Sequence, residues 1–205
     1  MRKRRRPFLV GAAVVVVAVG LVSLVVVGEI GRPSAVATSP ASHVPVASCS
    51  GCGQHAPGSP EAIVEGALRS SLEALVAPPA YRSGVLTPEL ADSWVTSAES
   101  EYRAWYASPT LDRMITGVHN VTGALMAQPG PIETSVDITT VDVPAATVDG
   151  DHATVDYATI SAVKHYAPGT WSDSDVVYSA MLSCELQRTE NGWRVTSASW
   201  TDSGG

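Results

Sequence analysis

An uninterrupted apolar stretch at residues 8–28 constrains this chain more than any other feature. It contains no charged residue, about half of it is valine, and Ser23 is its only polar side chain. A helix rises about 1.5 Å per residue, so about 20 residues cross the hydrocarbon core of a bilayer. Because lipid offers the backbone no hydrogen-bond partners, a single span must be helical. The sequence therefore predicts a transmembrane helix at 8–28.

Charges on the two sides of this stretch predict its orientation. Residues 1–7 contain five Arg and Lys residues, whereas Glu29 and Arg32 are the only charges close to the other end. Positively charged flanks stay in the cytoplasm. We therefore predict a cytoplasmic basic segment at 1–7, contact with membrane lipid through 8–28, and a single-pass plasma-membrane protein whose remaining residues lie outside.

Two alternatives for the N-terminal part are a cleaved signal peptide and a lipoprotein. Ala-Val-Ala at 35–37 fits the pattern of a signal-peptide cleavage site, but a signal core of about 7–15 residues is shorter than this stretch, which favours a retained anchor. Val-Ala-Ser-Cys at 46–49 resembles a lipidation site, but the whole of 29–45 separates it from the apolar stretch.

Composition divides the rest of the chain into a linker and one acidic domain. Residues 29–58 are rich in Gly, Pro, Ser and Ala and lack apolar periodicity, which predicts a flexible linker. Residues 59–205 are enough for one extracytoplasmic domain. After residue 33 the chain has seven Lys and Arg against nineteen Asp and Glu, a net charge of −12. Such a domain repels polyanions, so we exclude nucleic acid as a partner.

The three cysteines suggest a small local disulfide. Cys49 and Cys52 lie in the Gly-rich and Ser-rich linker, which does not fit a thioredoxin-like motif. An oxidising outer compartment favours a bond between them, with intermolecular pairing, free thiols or a metal as the alternatives. A zinc site needs four ligands, and His55 is the one further ligand nearby, so we predict no metal. Cys184 is expected to be buried, because it alternates with polar residues in a predicted strand.

Three helix starts follow one another in the first half of the domain. Ser-Pro-Glu at 59–61, Thr-Pro-Glu at 87–89 and Ser-Pro at 108–109 combine a capping hydroxyl with proline at the first helical position. Each is followed by apolar residues at helical spacing. These are Val64, Leu68, Leu72, Leu75 and Val76, then Leu90, Trp94, Ala98, Tyr102 and Trp105, then Leu111, Ile115 and Val118. Residues 117–126 fit a strand as well as a helix.

After residue 131 the apolar period changes from that of a helix to that of a strand. Alternation is clear at 134–138, 154–163 and 176–187, and again after 193. Asp-Gly at 149–150 and Asn-Gly at 191–192 are typical of tight hairpin turns. Helices followed by antiparallel strands predict an α+β domain, with a helical half packed on a curved antiparallel sheet.

The same order of elements, with Asn-Gly-Trp-Arg-Val at 191–195 and Trp200 closing the chain, resembles the nuclear transport factor 2-like (cystatin-like) superfamily. The resemblance covers about residues 60–201 and implies a cone-shaped fold. With the basic N-terminus, span and linker, the chain further resembles actinobacterial Mce-associated membrane proteins and extracytoplasmic subunits of conjugative secretion systems. That fold hosts both enzymes and non-catalytic assembly modules.

Enzymes of this fold class place an acid or base inside the cone mouth. If this chain were such an enzyme, isomerase-like or dehydratase-like, its pocket residues would be Asp92, Tyr102, His119 and Tyr157. Each has a structural alternative: Tyr102, for example, shares its helix stripe with core tryptophans. The sequence contains no serine-nucleophile motif, phosphate-binding glycine loop or zinc-protease motif. We therefore predict no catalytic residue and no cofactor.

The resulting hypothesis is a non-catalytic, membrane-anchored cell-envelope protein whose outer domain binds partner proteins in a transport or secretion assembly. Trp171 follows the predicted Pro-Gly turn at 168–169 and belongs to no apolar stripe. Exposed tryptophans often carry binding energy, so Trp171 is the predicted partner anchor. His152 and His165, beside a turn and at a strand end, are expected to be solvated.

Overall fold

The computed structural model describes residues 49–81, 85–128, 130–167 and 175–202. The described elements are α1 (Pro60–Glu73), α2 (Pro88–Tyr102), α3 (Thr110–Ala127), β1 (Glu133–Asp142), β2 (Thr147–Asp149), β3 (His152–Tyr166), β4 (Val176–Thr189) and β5 (Gly192–Asp202). Within these ranges, the three helices precede the five strands, as the sequence predicts. The apolar stretch, the linker up to residue 48 and Trp171 lie outside the described residues.

The first two helices begin where the capping residues predict. The Ser59 hydroxyl oxygen accepts a hydrogen bond from the Ala62 amide at 3.2 Å, and the Thr87 hydroxyl oxygen accepts one from the Leu90 amide at 3.4 Å. Both bonds satisfy amides that a helix start leaves without a partner. The third helix begins at Thr110 without a side-chain cap and continues to Ala127, so residues 117–126 are helical.

The strands form one antiparallel sheet with the order β1-β3-β4-β5. The short strand β2 pairs with the first residues of β3, and β1 pairs with the later ones. The two predicted turns are present, since Asp149 pairs with His152 and Thr189 pairs with Gly192. Both turn glycines have positive φ, a conformation that is unfavourable for residues with a Cβ atom. The α+β class with helices packed on an antiparallel sheet is therefore confirmed.

The helices cover one face of the sheet. Buried residues at alternate positions of the strands form that face. In β4, the residues Ala180, Leu182, Cys184 and Leu186 are buried, whereas their neighbours along the strand are more exposed. The Cys184 side chain is 5% exposed, and burial raises the pKa of its thiol to about 12. The predicted burial of Cys184 is correct.

The last part of the predicted linker lies against the domain. Ser50 pairs with the outer edge of β1: its amide donates to the Thr139 carbonyl at 2.9 Å, and its carbonyl accepts from the Val141 amide at 3.0 Å. Cys49 and Cys52 form a disulfide around this contact. The predicted domain boundary at residue 59 therefore leaves out Ser50, which pairs with the sheet edge, because backbone pairing at an edge needs no apolar periodicity.

The described part of the chain contains no helix that is long and apolar enough to cross a membrane. Residues 8–28 lie outside that part, and their assignment as a span stays a prediction.

One carboxylate connects the start of α1 to the loop between β1 and β2. Glu61 lies in the first turn of α1 and accepts a hydrogen bond from the Ala146 amide at 2.8 Å. That backbone hydrogen bond is the main cause of a lowered pKa at Glu61. A lowered pKa means that the stabilisation is present above the unfolded-state pKa and is lost as the pH falls through the folded-state pKa.

We expect Glu61→Ala to lower the free energy of unfolding by about 1–2 kcal/mol at pH 7, because a charge-assisted hydrogen bond and a favourable helix-end charge are lost. The loss should shrink as the pH is lowered to about 3, because progressive protonation of the carboxyl removes the same charge from the wild type. Chemical denaturation at both pH values measures it. Glu89→Ala is the matched control, since Glu89 follows a capping Thr-Pro in the same way but is fully exposed at its own helix end. Equal losses in both variants would contradict a role for the Ala146 bond.

Candidate functional site

The four residues predicted for an enzyme pocket lie in different environments. Asp92 and His119 are exposed on α2 and α3. Tyr102 is 1% exposed and belongs to the core, whereas Tyr157 on β3 is 66% exposed. Tyr102 is therefore buried, whereas the other three residues of the set are exposed.

Tyr157 occupies an irregular position in β3. The register between β3 and β4 shifts between Val155 and Ala158, and Tyr157 has φ 62°. Its amide donates to the Ser183 hydroxyl at 3.2 Å instead of to the strand ladder. The bulge turns the Tyr157 ring outward while Val155 and Ala158 stay in the core.

Buried aromatic side chains pack between the helices, and one of them, Tyr106, also lies next to β5 of the sheet. Trp94, Tyr102 and Tyr106 are all buried. The Trp94 indole donates to the Ala74 carbonyl at 2.9 Å, and the Tyr106 hydroxyl donates to the Ala67 carbonyl at 2.7 Å. Tyr102 and Tyr106 pack edge to face with their centroids 5.8 Å apart. The polar atoms of Trp94 and Tyr106 therefore bind backbone and are not free for a substrate.

A groove of about 580 Å³ lies at the surface of α1, and we take it as the candidate site. Three parts of the chain line it: the segment that contains Gly53 and His55, one face of α1, and the end of α2 with Trp105. Residues 62, 65–66, 69–70 and 73 line it from α1, at the spacing of one helix face. Most of the lining surface is apolar.

Trp105 forms a fixed aromatic wall of this groove. Its carbonyl accepts a hydrogen bond from the Val195 amide at 2.9 Å, and the Ala107 amide donates to the Val195 carbonyl at 2.9 Å. The ring lies against Gly66 so closely that a Cβ atom there would clash with it. Trp105 was predicted from its helix stripe as a core residue; it is instead half-buried beyond the end of α2.

Four charged residues line the groove, and two of its three carboxylates are compensated. Buried Glu65 accepts a hydrogen bond from the Gly53 amide at 2.7 Å, and Glu73 pairs with Arg69 at 3.3 Å. Glu101 has no ion-pair partner among the described residues. Burial, and then the charge of Glu73, raise the pKa of Glu101. Within the part of the chain that the structure describes, the groove therefore presents a carboxylate without an ion-pair partner beside a tryptophan.

A second polar cluster lies on the covered face of the sheet. Lys164 follows Ile160 and Ala162 on the buried row of β3, and its Nζ lies 3.1 Å from Oε2 of Glu133. The two side chains are 5% and 10% exposed. Lys164 Nζ also lies 4.9 Å from the ring centroid of Tyr178. Among the described residues, Oε1 of Glu133 is buried without a hydrogen-bond partner.

Burial perturbs the titration of this cluster. It raises the pKa of Glu133, although the charge of Lys164 acts in the opposite direction. It also raises the pKa of Tyr178 to about 12, with a further contribution from Asp202, and the pKa of Tyr166 to about 12, with a further contribution from Glu133. These phenols are neutral at physiological pH and cannot act as bases there.

His165, expected to be solvated, has two acidic partners. Its Nδ1 lies 2.8 Å from a carboxylate oxygen of Asp175, and its Nε2 lies 3.1 Å from one of Asp137. Burial opposes the charged form, but the hydrogen bonds to Asp175 and Asp137 prevail and raise the pKa of His165. Both carboxylates are largely exposed, which makes this a surface ion-pair network.

Within the described ranges, no group of three or more His, Cys, Asp or Glu side chains is arranged to hold a metal ion. Trp171, the predicted partner anchor, lies outside those ranges, so its role stays a prediction.

No protein-family model matches this chain, and no curated protein matches it. Similar solved structures include the intermembrane-space region of the chloroplast protein ARC6, with 18% identity, 70% of this chain and 94% of that chain covered, and a TM-score of 0.43. They also include an NTF2-like protein with a cystatin-like fold from Novosphingobium aromaticivorans, with 22% identity, 57% and 75% covered, and a TM-score of 0.34. Kfla4162 from Kribbella flavida matches with 24% identity, 42% and 58% covered, and a TM-score of 0.32. Similarities at these values carry no argument about function.

Proposed function

We propose that this chain is a non-catalytic protein of the cell envelope, anchored in the plasma membrane by residues 8–28 with its N-terminus in the cytoplasm. Its α+β domain binds partner proteins in a transport or secretion assembly. The resemblance of the sequence to actinobacterial Mce-associated membrane proteins supports this proposal, as does the acidic charge of the domain, which disfavours nucleic acid.

The main support for proposing a non-catalytic protein is the aromatic packing in the core next to the sheet. An enzyme of this architecture would need an acid or base within hydrogen-bond reach of a substrate in that space. Tyr106 occupies part of it with a buried ring next to β5, and Tyr102 packs edge to face against that ring. A surface groove of mostly apolar lining, with Trp105 as its aromatic wall, supports the protein-binding part.

The test is purification of the tagged full chain from alkaline-washed membranes, followed by identification of the co-purifying proteins. We expect the chain to stay with the membranes and to retain specific envelope proteins. Trp171→Ala should reduce the retained partner while folding is unchanged, because aromatic anchors dominate protein interfaces. Val177→Ala is the control, since Val177 is a well-exposed apolar residue.

Two results would reject this proposal. The first is the absence of any protein that co-purifies with the wild-type chain but not with a mock preparation. The second is a soluble product that begins near residue 38, which would establish the cleaved-signal alternative.

The alternative function is that of a small-ligand binder or enzyme of the same fold, and the buried cluster at Lys164 supports it. Buried ionisable groups with perturbed pKa values are concentrated at functional sites. One Glu133 oxygen there has no hydrogen-bond partner among the described residues, and Tyr178 contacts the same lysine. Turnover or ligand binding that is lost in Glu133→Gln, at a temperature where thermal melting shows the variant to be folded, would favour this alternative.

A further inference from the structure

The groove at α1 combines an aromatic wall with the carboxylate of Glu101, which has no ion-pair partner among the described residues. The Trp105 backbone is held by hydrogen bonds to β5 and its ring lies against Gly66, so the ring has less freedom to lose when a ligand binds. Glu101 lines the same groove from the last turn of α2. The other two carboxylates of the groove, Glu65 and Glu73, already have a hydrogen-bond donor or a cation.

We propose that this groove binds an arginine side chain of a partner protein, with the guanidinium at Glu101 and the aliphatic stem along Trp105. The assignment rests on the proposed protein-binding function and adds the chemistry of the partner to it. The chemical argument has three steps.

The charge of the groove decides whether the ligand should be cationic, anionic or apolar. Glu65, Glu73 and Glu101 outnumber Arg69, and the whole domain after residue 33 is acidic. An anionic ligand would be repelled. A purely apolar ligand would remove water from the Glu101 carboxylate without replacing its hydrogen bonds, which is unfavourable. A cation is therefore the complementary ligand.

The aromatic wall and the apolar lining decide between the cationic side chains. A guanidinium is planar, stacks on an indole face and can bind a carboxylate through two parallel hydrogen bonds. Its stem is apolar and can cover Gly66, Ala62 and Ala104, which also line the groove. A lysine ammonium is a strongly hydrated point charge and gains less from the ring.

The position of Glu101 also explains why the cation should come from a second molecule. Arg69, the one arginine that lines the groove, pairs with Glu73, one helical turn away on α1. Arg103, two residues after Glu101, pairs with Glu99 on the exposed side of α2. Among the described residues, both nearby arginines are thus engaged with other carboxylates.

The test measures retention of the full chain, in non-ionic detergent, on beads that carry the peptide Gly-Ser-Gly-Arg-Gly-Ser at high density. Matched beads carry citrulline, the neutral isostere of arginine, or lysine at the same position. We expect the citrulline and lysine beads to retain less protein than the arginine beads. Glu101→Gln and Trp105→Leu should each weaken binding to the arginine beads about two- to fivefold, the effect of one partly exposed charge pair or cation–π contact.

Glu99→Gln is the matched control, because it changes the charge equally on the same helix but outside the groove. It should retain wild-type binding, and the melting temperature of each variant verifies its fold. Equal binding to arginine and citrulline beads would overturn the proposal. Equal effects of Glu99→Gln and Glu101→Gln would also overturn it, since binding would then follow net charge alone. Equal binding to lysine beads would overturn the choice of arginine.

Two outcomes separate this proposal from the general function. Specific binding to arginine beads without any co-purifying envelope protein would support the groove assignment and reject the proposed function. Partner co-purification that persists in both Glu101→Gln and Trp105→Leu would support the function and reject the groove as its arginine site.

Discussion

Lys164→Met is expected to lower the free energy of unfolding by about 3–5 kcal/mol at neutral pH, the usual cost of removing one partner from a buried ion pair. The ammonium of Lys164 is the only cation within 4 Å of the Glu133 carboxylate among the described residues. Within the described ranges, one oxygen of that carboxylate already lacks a hydrogen-bond donor. Without Lys164, the whole carboxylate would be a buried charge without compensation, which is more costly than losing the contact itself.

The pH dependence of this variant has a defined sign. Burial already raises the folded-state pKa of Glu133, and removal of the lysine raises it further. A carboxyl whose pKa is higher in the folded state than in the unfolded state destabilises the folded state as the pH rises from the unfolded-state pKa through the folded-state pKa. The loss of unfolding free energy in Lys164→Met should therefore be smallest near pH 4 and largest above pH 7. Chemical denaturation across this range measures it.

The double variant Lys164→Met with Glu133→Leu is the control. Replacing both charges by apolar groups removes the desolvation cost, so its stability should return to within about 1 kcal/mol of wild type or exceed it. A loss below about 1 kcal/mol in Lys164→Met alone would contradict a sealed, buried pair. Such a result would indicate that water reaches this end of the sheet.

Gly66→Ala is expected to destabilise the domain, although alanine is the better helix former. Relative to glycine, alanine in a helix interior stabilises by about 1 kcal/mol. At Gly66 the added methyl group would collide with the Trp105 ring, and overpacking of this kind costs about 1–3 kcal/mol. Because the Trp105 backbone is bonded to β5, the ring cannot move away freely. The net expected change is a loss of up to about 2 kcal/mol.

A double-variant cycle isolates the collision from the helix propensity. In a Trp105→Leu background the ring is absent, so Gly66→Ala should raise stability by about 1 kcal/mol. The sign of the substitution thus reverses between the two backgrounds. Equal effects in both backgrounds would show that the ring does not rest on Gly66 and would remove the aromatic wall from the groove.

The sequence alone determined the elements of the domain and the covered face of the sheet. Local chemistry is sufficient for these features: a hydroxyl before proline at Ser59 and Thr87 caps a helix, and glycines at 150 and 192 permit tight turns. Residue alternation predicted the burial of Cys184 in the same way. The apolar positions of the segment 117–126 fit both periods, so the sequence leaves it ambiguous; the structure shows it as helix, with Val118 and Thr122 buried.

Only the tertiary structure decided the polar sites, because their members are distant in sequence. Lys164 and Glu133 are 31 residues apart and meet through the pairing of β3 with β1. The alternation of β3 already places Lys164 on the buried row, but periodicity does not identify its counter-charge. The groove joins Gly53, α1 and Trp105, and the first of these belongs to a stretch without any apolar period. Periodicity reports which face of an element is covered, whereas a site depends on which elements meet, and that is decided by packing and by backbone hydrogen bonds at the sheet edges.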